Sequence, residues 1–161
     1  MQLHLLRHGR AEDEGPGASD LARKLTPRGR AEVQQVLERV RRAGAVPSLI
    51  LSSPYVRAFE SAEIAAKILG YAGTIIRTDA LVPISAPRRI WDEIRSQQTE
   101  SQILLAGHQP LLGQLLANLL GAPALQVAMR PATLVRIDVD HFGAEPHGVL
   151  HWVLPPELAA E

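Results

Sequence analysis

Short apolar runs alternate along the chain with amphipathic segments, and this alternation predicts a sheet covered by helices. Apolar runs bounded by turn residues predict strands, whereas apolar residues three and four positions apart predict helices. The predicted strands are 3–6, 48–52, 74–77, a strand ending at Gly107, 134–139 and 149–154; the predicted helices begin at Pro27, Pro54, Arg88 and Pro110 and end near Gly44, Gly70, Gln98 and Gly121. This order predicts an α/β fold, a three-layer α/β/α sandwich whose mostly parallel central sheet has an antiparallel edge strand.

The polar segment 12–24 interrupts this alternation. It contains Gly15, Pro16 and Gly17 and no apolar periodicity, so it predicts a loop. The next helix has a clear start, because Thr26 is a typical N-cap and Pro27 suits the first helical position. No linker or internal repeat divides the chain, and we predict a single domain over residues 1–161.

Composition and charge exclude several function classes. The 161 residues include 17 basic and 17 acidic side chains, so no overall field favours nucleic acid or an anionic membrane. The chain has no cysteine, which excludes disulfides, thiolate catalysis and cysteine metal sites. We therefore predict neither a metal nor another cofactor, and any anion site must be local.

The N-terminus and the hydropathy pattern bear on location. The segment Met1 to Arg7 lacks the basic start and long apolar core of a signal peptide. No uninterrupted apolar stretch reaches the ~18 residues that span a bilayer. These features predict a soluble, cytoplasmic protein.

Two histidines follow predicted strands in similar surroundings. His8 ends the run Leu5-Leu6-Arg7-His8, and His108 follows the apolar strand that ends at Gly107. Because open α/β sheets bind ligands at the carboxyl edge, we expect both imidazoles to meet there with Arg7 between them. Neutral imidazole is a nucleophile and guanidinium offers paired donors to phosphoryl oxygens, so this group predicts phosphate chemistry. Either histidine taken alone is more often a hydrogen-bonded structural residue.

Three further residues are candidates at the same edge. Arg57 lies in the first turn of the helix after Ser52-Ser53-Pro54, and helix N-termini favour anions. With Arg7 it can clamp one phosphoryl group, although a lone arginine there is more often a solvated surface residue. Gly9 lets the backbone turn tightly beside a phosphate, or forms an ordinary strand-end turn. Ser53 contributes a hydroxyl to the pocket or caps the helix.

Four motifs, in order, make the chain resemble the histidine phosphatase superfamily, also called phosphoglycerate mutase-like. They are Leu6-Arg7-His8-Gly9, Leu25-Thr26-Pro27-Arg28-Gly29, Ser52-Ser53-Pro54 with Arg57-Ala58 and Ser61-Ala62, and Gly107-His108. Within that family the chain looks most like the short phosphohistidine phosphatases of the SixA type. The resemblance implies that His8 is the nucleophile and forms a phosphohistidine intermediate, while Arg7, Arg57 and His108 bind the phosphoryl group.

One departure from the larger family members concerns the general acid. Many of them carry a glutamate after the third strand, whereas 79–85 has no carboxylate after Leu81. General acid catalysis accelerates a reaction by roughly 10²- to 10⁴-fold, so an ester-cleaving enzyme without a general acid would lose that part of its rate. The phosphorus to nitrogen bond of phosphohistidine needs less help, which favours that substrate. Asp13 and Asp79 remain alternative acids.

The connections around the third strand are short and leave little room for a lid. An open site admits a phosphorylated protein, so the leading hypothesis is a cofactor-independent phosphatase that acts on protein phosphohistidine and releases inorganic phosphate. The alternatives are a small-molecule phosphomonoesterase with another acid and a phosphate-binding module without turnover. A mutase is disfavoured, because it must enclose a doubly phosphorylated intermediate.

Overall fold

A computed structural model describes residues 1–160 and shows one six-stranded sheet. Its strands are β1 (Gln2–Arg7), β2 (Leu49–Ser52), β3 (Ile76–Arg77), β4 (Gln102–Gly107), β5 (Leu134–His141) and β6 (His147–Leu154). The order across the sheet is β3-β2-β4-β1-β5-β6. Pairings among β1 to β4 are parallel, whereas β5 pairs antiparallel with both β1 and β6. The prediction of a mostly parallel sheet with an antiparallel edge strand is confirmed, and β6 is that edge strand.

Within residues 1–160, five helices connect and cover these strands. They are α1 (Pro27–Arg42), α2 (Val56–Leu69), α3 (Pro87–Ser96), α4 (Leu111–Leu119) and α5 (Pro156–Ala159), with 3₁₀ turns at Asp20–Ala22 and Asp79–Leu81. Helix α1 begins as predicted, because the Thr26 hydroxyl accepts a hydrogen bond from the Gly29 N–H at 3.0 Å. Helix α2 begins two residues later than Pro54, since Tyr55 is still extended.

Alternate residues of each central strand face opposite cores, and this produces the three layers. Leu5 packs into a core with Ile90 of α3 and Leu111 of α4. Leu6 packs into a second core with residues of α1, α2 and α5. Both leucines are fully buried, as expected for a sheet that is covered on both faces. Within residues 1–160, no helix combines the length and apolar character needed to cross a bilayer.

The parallel pairing of β1 and β4 sets the position of the two candidate histidines. Arg7 is level with Gly107 in this pair, so each histidine is the first residue beyond its strand. The His8 N–H donates to the Gly107 carbonyl at 3.0 Å, and the His8 carbonyl accepts from the Ala132 N–H at 3.0 Å. The backbone of His8 is therefore held on both sides by the sheet edge.

Candidate active site

His8 lies beside Arg57 and His108 at the carboxyl edge of the sheet. The His8 Nδ1 atom is 2.7 Å from the Gly9 carbonyl oxygen. A carbonyl only accepts, so Nδ1 carries the proton and Nε2 keeps its lone pair. The Arg57 Nε–H donates to His8 Nε2 at 3.3 Å, and the His8 and His108 ring centres are 5.0 Å apart. The nitrogen with the free electron pair is thus the one that faces the cationic residue.

The protonation state of His8 suits nucleophilic attack. The pKa of His8 is lowered to about 4, chiefly by burial and then by the charges of Arg57 and Arg7, while the hydrogen bond to the Gly9 carbonyl acts in the opposite direction. At neutral pH the imidazole is therefore uncharged. An uncharged imidazole whose Nε2 keeps its electron pair can form a bond to phosphorus once the Arg57 Nε–H donates to another acceptor.

Arg57 is buried at the start of α2 and is held on its far side by the loop 12–24. Its Nη1 donates to the Asp20 carbonyl at 2.8 Å, and its Nη2 donates to Asp20 Oδ2 at 3.3 Å. The Tyr55 ring centre lies 5.0 Å from the Arg57 Cζ, which is within cation–π range. The guanidinium is consequently fixed from two directions while its Nε points at His8.

Arg7, the last residue of β1, supplies a second guanidinium. Its Nη1 donates to the Met129 carbonyl, whereas its buried Nε has no hydrogen-bond partner among the described residues. Burial, and then the charge of Arg57, lower the pKa of Arg7, but an arginine remains protonated at neutral pH. A buried charged donor without a partner is costly and favours an anionic acceptor nearby.

Ser53 contacts His108 and the backbone of the helix that follows. Its Oγ accepts from the Tyr55 N–H at 3.2 Å and lies 2.8 Å from His108 Nε2. The buried hydroxyl proton then has His108 Nε2 as its acceptor, which leaves the His108 proton on Nδ1. Nδ1 is buried and has no partner within residues 1–160. Burial, followed by His8 and Arg57, keeps the pKa of His108 far below its usual range, so this ring is a neutral donor.

Gly9 is required by close packing rather than by an unusual backbone angle. Its φ is not positive, and a Cβ added there would lie 2.6 Å from the Gly29 carbonyl oxygen and 2.9 Å from a Val33 methyl carbon. The Gly9 N–H donates to Ser61 Oγ at 3.2 Å. The glycine therefore lets the segment after His8 lie against α1 and α2, which is a different reason from the tight turn that the sequence suggested.

A cleft of about 540 Å³ opens over His8. It is lined by Arg7, His8, Arg10, Ala11, Arg23, Thr26, Arg28 and Pro131. Arginines contribute half of these residues, so a phosphoryl group would enter a cationic opening.

The structure brings all six sequence-predicted residues to one end of the sheet. The carboxylate beside them is not one of the two that the sequence suggested as a general acid. Asp13 and Asp79 are exposed, and Asp20 is the carboxylate that contacts Arg57. Asp20, Arg23 and Tyr55 were missed because they lie in a loop and a strand-to-helix connection with no periodic signal. Among the described residues, no group of three or more histidine and acidic side chains could hold a metal ion.

Comparisons with known proteins concern the family and the fold. Residues 3–86 match the family model of the histidine phosphatase superfamily (branch 1). An uncharacterized protein of Picosynechococcus sp. is 34% identical over 115 residues, which are 71% of this chain and 70% of that protein.

Solved structures of the same fold cover nearly the whole chain. The protein histidine phosphatase SixA complexed with tungstate superimposes with a TM-score of 0.86 at 23% identity, covering 97% of each chain. An alpha-ribazole phosphatase from Shigella flexneri gives a TM-score of 0.73 at 17% identity, covering 94% of this chain and 95% of that one. At these identities the likeness concerns the fold. The family model, which matches the half of the chain that carries His8 and Arg57, shows that the chain belongs to the histidine phosphatase superfamily.

Proposed function

We propose that the protein hydrolyses phosphohistidine on a protein substrate, with His8 as the nucleophile. In the first step the Arg57 Nε–H, which donates to His8 Nε2 in the free site, turns to a phosphoryl oxygen. His8 Nε2 then forms a bond to phosphorus while the bond from phosphorus to the substrate imidazole breaks. The electron pair stays on that imidazole, which takes a proton from water. In the second step water attacks the phosphoenzyme, and inorganic phosphate leaves as His8 regains its electron pair.

The observation that carries the choice of substrate is the state of the nearest carboxylate. Asp20 contacts two guanidiniums, and hydrogen bonding to Arg23, followed by the charge of Arg57, lowers its pKa. An ionised carboxylate has no proton to give to an alkoxide leaving group. Phosphoester cleavage needs such a proton more than phosphoramidate cleavage does, so the site favours phosphohistidine.

Electrostatic stabilisation supports the same reaction. Phosphoryl transfer has a loose transition state with charge on its equatorial oxygens, so positioned donors account for most of the catalysis. Arg57 Nε, the unpartnered Arg7 Nε and the unpartnered His108 Nδ1 are three such donors. Arg7, Arg57 and His108 therefore bind the phosphoryl group in this mechanism, while Gly9 and Ser53 act by packing and by orienting His108.

The partner in this proposal is a protein that carries phosphohistidine. The open cleft beside His8 gives room for a residue on a macromolecule, and the SixA structure is described as a protein histidine phosphatase. The Shigella flexneri relative of the same fold is described as an alpha-ribazole phosphatase, so the fold also serves a small-molecule phosphatase.

The test compares phosphate release from a phosphohistidine-bearing protein and from para-nitrophenyl phosphate. Wild type, His8→Ala and His141→Ala are measured, the last as a control because His141 is exposed at the end of β5. We expect turnover of phosphohistidine that His8→Ala reduces on the order of 10⁴-fold or more and His141→Ala leaves unchanged. Comparable turnover of the ester would instead support a phosphomonoesterase. Retained binding of the phosphoprotein by wild type without turnover would support a binding module.

A further inference from the structure

Asp20 contacts the catalytic arginine with both its side chain and its main chain. Arg57 Nη1 donates to the Asp20 carbonyl at 2.8 Å, and Arg57 Nη2 donates to Asp20 Oδ2 at 3.3 Å. The Arg57 side chain is 6% exposed, whereas that of Asp20 is 41% exposed. Asp20 thus closes the outer side of a guanidinium that is otherwise buried.

We propose that Asp20 is a positioning residue that holds the Arg57 guanidinium beside His8, so that its N–H groups meet the phosphoryl group that His8 Nε2 attacks. The proposal rests on the proposed function, since it assigns Asp20 a role in the same phosphoryl transfer. This role predicts that loss of Asp20 lowers the rate of phosphoryl transfer and leaves the affinity for substrate nearly unchanged. Asp20 contacts the reacting groups through Arg57, whose two terminal nitrogens it binds.

The geometry of a guanidinium explains why two anchors matter. Its nitrogens are coplanar, so holding both terminal nitrogens also sets the direction of the Nε–H bond. Arg57 Nε lies 3.3 Å from His8 Nε2, the atom that attacks phosphorus in the proposed mechanism. Each terminal nitrogen keeps a second N–H that can reach an equatorial oxygen. If the hydrogen bond from Nη2 to the Asp20 carboxylate is lost, the Arg57 side chain can adopt alternative rotamers. The rotamer that is aligned with His8 is then only one of several populated conformations.

Asp20 is itself fixed, so it can serve as a support. Arg23 Nη1 donates to Asp20 Oδ1 at 2.9 Å, and Arg23 Nε donates to the Glu12 carbonyl at 2.6 Å. The loop is closed at its base by the hydrogen bond from the Glu12 N–H to the Lys24 carbonyl at 2.9 Å. A continuous path of hydrogen bonds therefore links this base to Asp20, Arg57 and His8.

An alternative role would be a placeholder, in which the Asp20 carboxylate occupies the position that the phosphoryl group later takes. The contacts favour positioning for two reasons. The Asp20 carbonyl, which binds Nη1, is part of a 3₁₀ turn closed by the Arg23 N–H at 3.3 Å, and it cannot leave without opening that turn. A placeholder would also have to give up the hydrogen bond from Arg23 Nη1 to Asp20 Oδ1 at 2.9 Å.

The experiment measures kcat and KM for the phosphohistidine-bearing protein with Asp20→Ala, Asp20→Asn and Asp20→Glu, and with Glu14→Gln as an exposed control in the same loop. We expect Asp20→Ala to lower kcat about 10- to 100-fold, because a misplacement near 1 Å costs about that much, with KM changed less than threefold. Asp20→Asn keeps an oxygen acceptor and should fall between Ala and wild type. Asp20→Glu should recover part of the Ala loss, and Glu14→Gln should match wild type.

A second measurement separates positioning from simple loss of structure. The ¹⁵N shift of His8 Nε2 reports the hydrogen bond from Arg57, and it should move in Asp20→Ala while melting temperature and inorganic phosphate affinity change little. An unchanged kcat or an unchanged His8 shift would overturn the proposal. Tighter phosphate binding by Asp20→Asn would also overturn it in favour of the placeholder. If wild type shows no turnover, the proposed function fails, whereas turnover that is insensitive to Asp20 refutes only this inference.

Discussion

Replacing Gly29 by alanine tests whether close packing against α1 holds His8 in place. A Cβ at residue 29 would lie 2.1 Å from the Arg10 carbonyl oxygen and 2.7 Å from the Arg10 nitrogen. Both atoms are backbone, so no flexible side chain can move aside. The Thr26 N–H, which donates to the same Arg10 carbonyl at 2.9 Å, resists separation of the two segments.

The size of the effect follows from these distances. Cβ atoms essentially never approach other atoms closer than 3.0 Å, so the Arg10 backbone and α1 must separate by about 0.9 Å. Arg10 is two residues from His8, and a displacement near 1 Å at a reacting group costs about 10²-fold in rate. Overpacking costs about 1–3 kcal/mol, and the better helix propensity of alanine, about 1 kcal/mol, offsets only part of it.

The assay is steady-state phosphate release from the phosphohistidine-bearing protein, together with thermal unfolding. Gly15→Ala is the matched control, because a Cβ there meets nothing within 4 Å and the residue has no positive φ. We expect Gly29→Ala to lose on the order of 10²-fold in kcat and a few degrees in melting temperature, and Gly15→Ala to lose neither. A Gly29→Ala protein with wild-type kcat would refute the argument that this contact positions His8.

Two further predictions concern histidine protonation. Ser53→Ala removes the donor to His108 Nε2, so we expect the His108 proton to be shared between both ring nitrogens and kcat to fall roughly tenfold. ¹⁵N spectra measure the tautomer and steady-state kinetics measure kcat. An unchanged tautomer would contradict the assignment of the His108 proton to Nδ1. Burial, and then the charge of Arg136, lower the pKa of His4 from 6.5 to about 4. The unfolded chain therefore binds more protons between these values, and the unfolding free energy should fall by up to about 3 kcal/mol from this group as pH drops from 6.5 to 4. His4→Gln should flatten that part of the curve in denaturant titrations, and an equally steep curve would show that other groups cause it.

The sequence predicts the positions of the two candidate histidines because each directly follows a regular element. A buried strand ends at a definite residue, and parallel neighbouring strands end at the same edge of the sheet. The sequence alone therefore predicts that His8 and His108 lie close together. Arg57 was placed for the same reason, one residue into a helix that follows a strand. Residues at the ends of helices and strands that have a clear hydrophobic periodicity therefore lie at predictable positions.

Contacts between segments distant in sequence could not be predicted in this way. Asp20 meets Arg57 across 37 residues, and its loop has no periodicity that would orient either group. Gly9 and Gly29 are explained only by their contact with each other's segments, whereas Gly9 taken alone suggests a local turn. Strand β3 is shorter than predicted, two residues at an exposed edge, because it pairs with one neighbour only. Tertiary packing decides all three features.

In the proposed mechanism, burial and the charges around His8 keep the nucleophile neutral, while the same charges attract a phosphoryl group. Arg7, Arg57 and Arg23 all lower the pKa of His8, while the single carboxylate of Asp20 binds two of these three cations. The excess positive charge next to His8 matches a phosphoryl dianion. The buried Arg7 Nε and His108 Nδ1 both lack an acceptor within residues 1–160, and such donors are costly until one is supplied. Phosphoryl oxygens provide that acceptor, so the groups that destabilise the free site are the same ones that stabilise the transferring group.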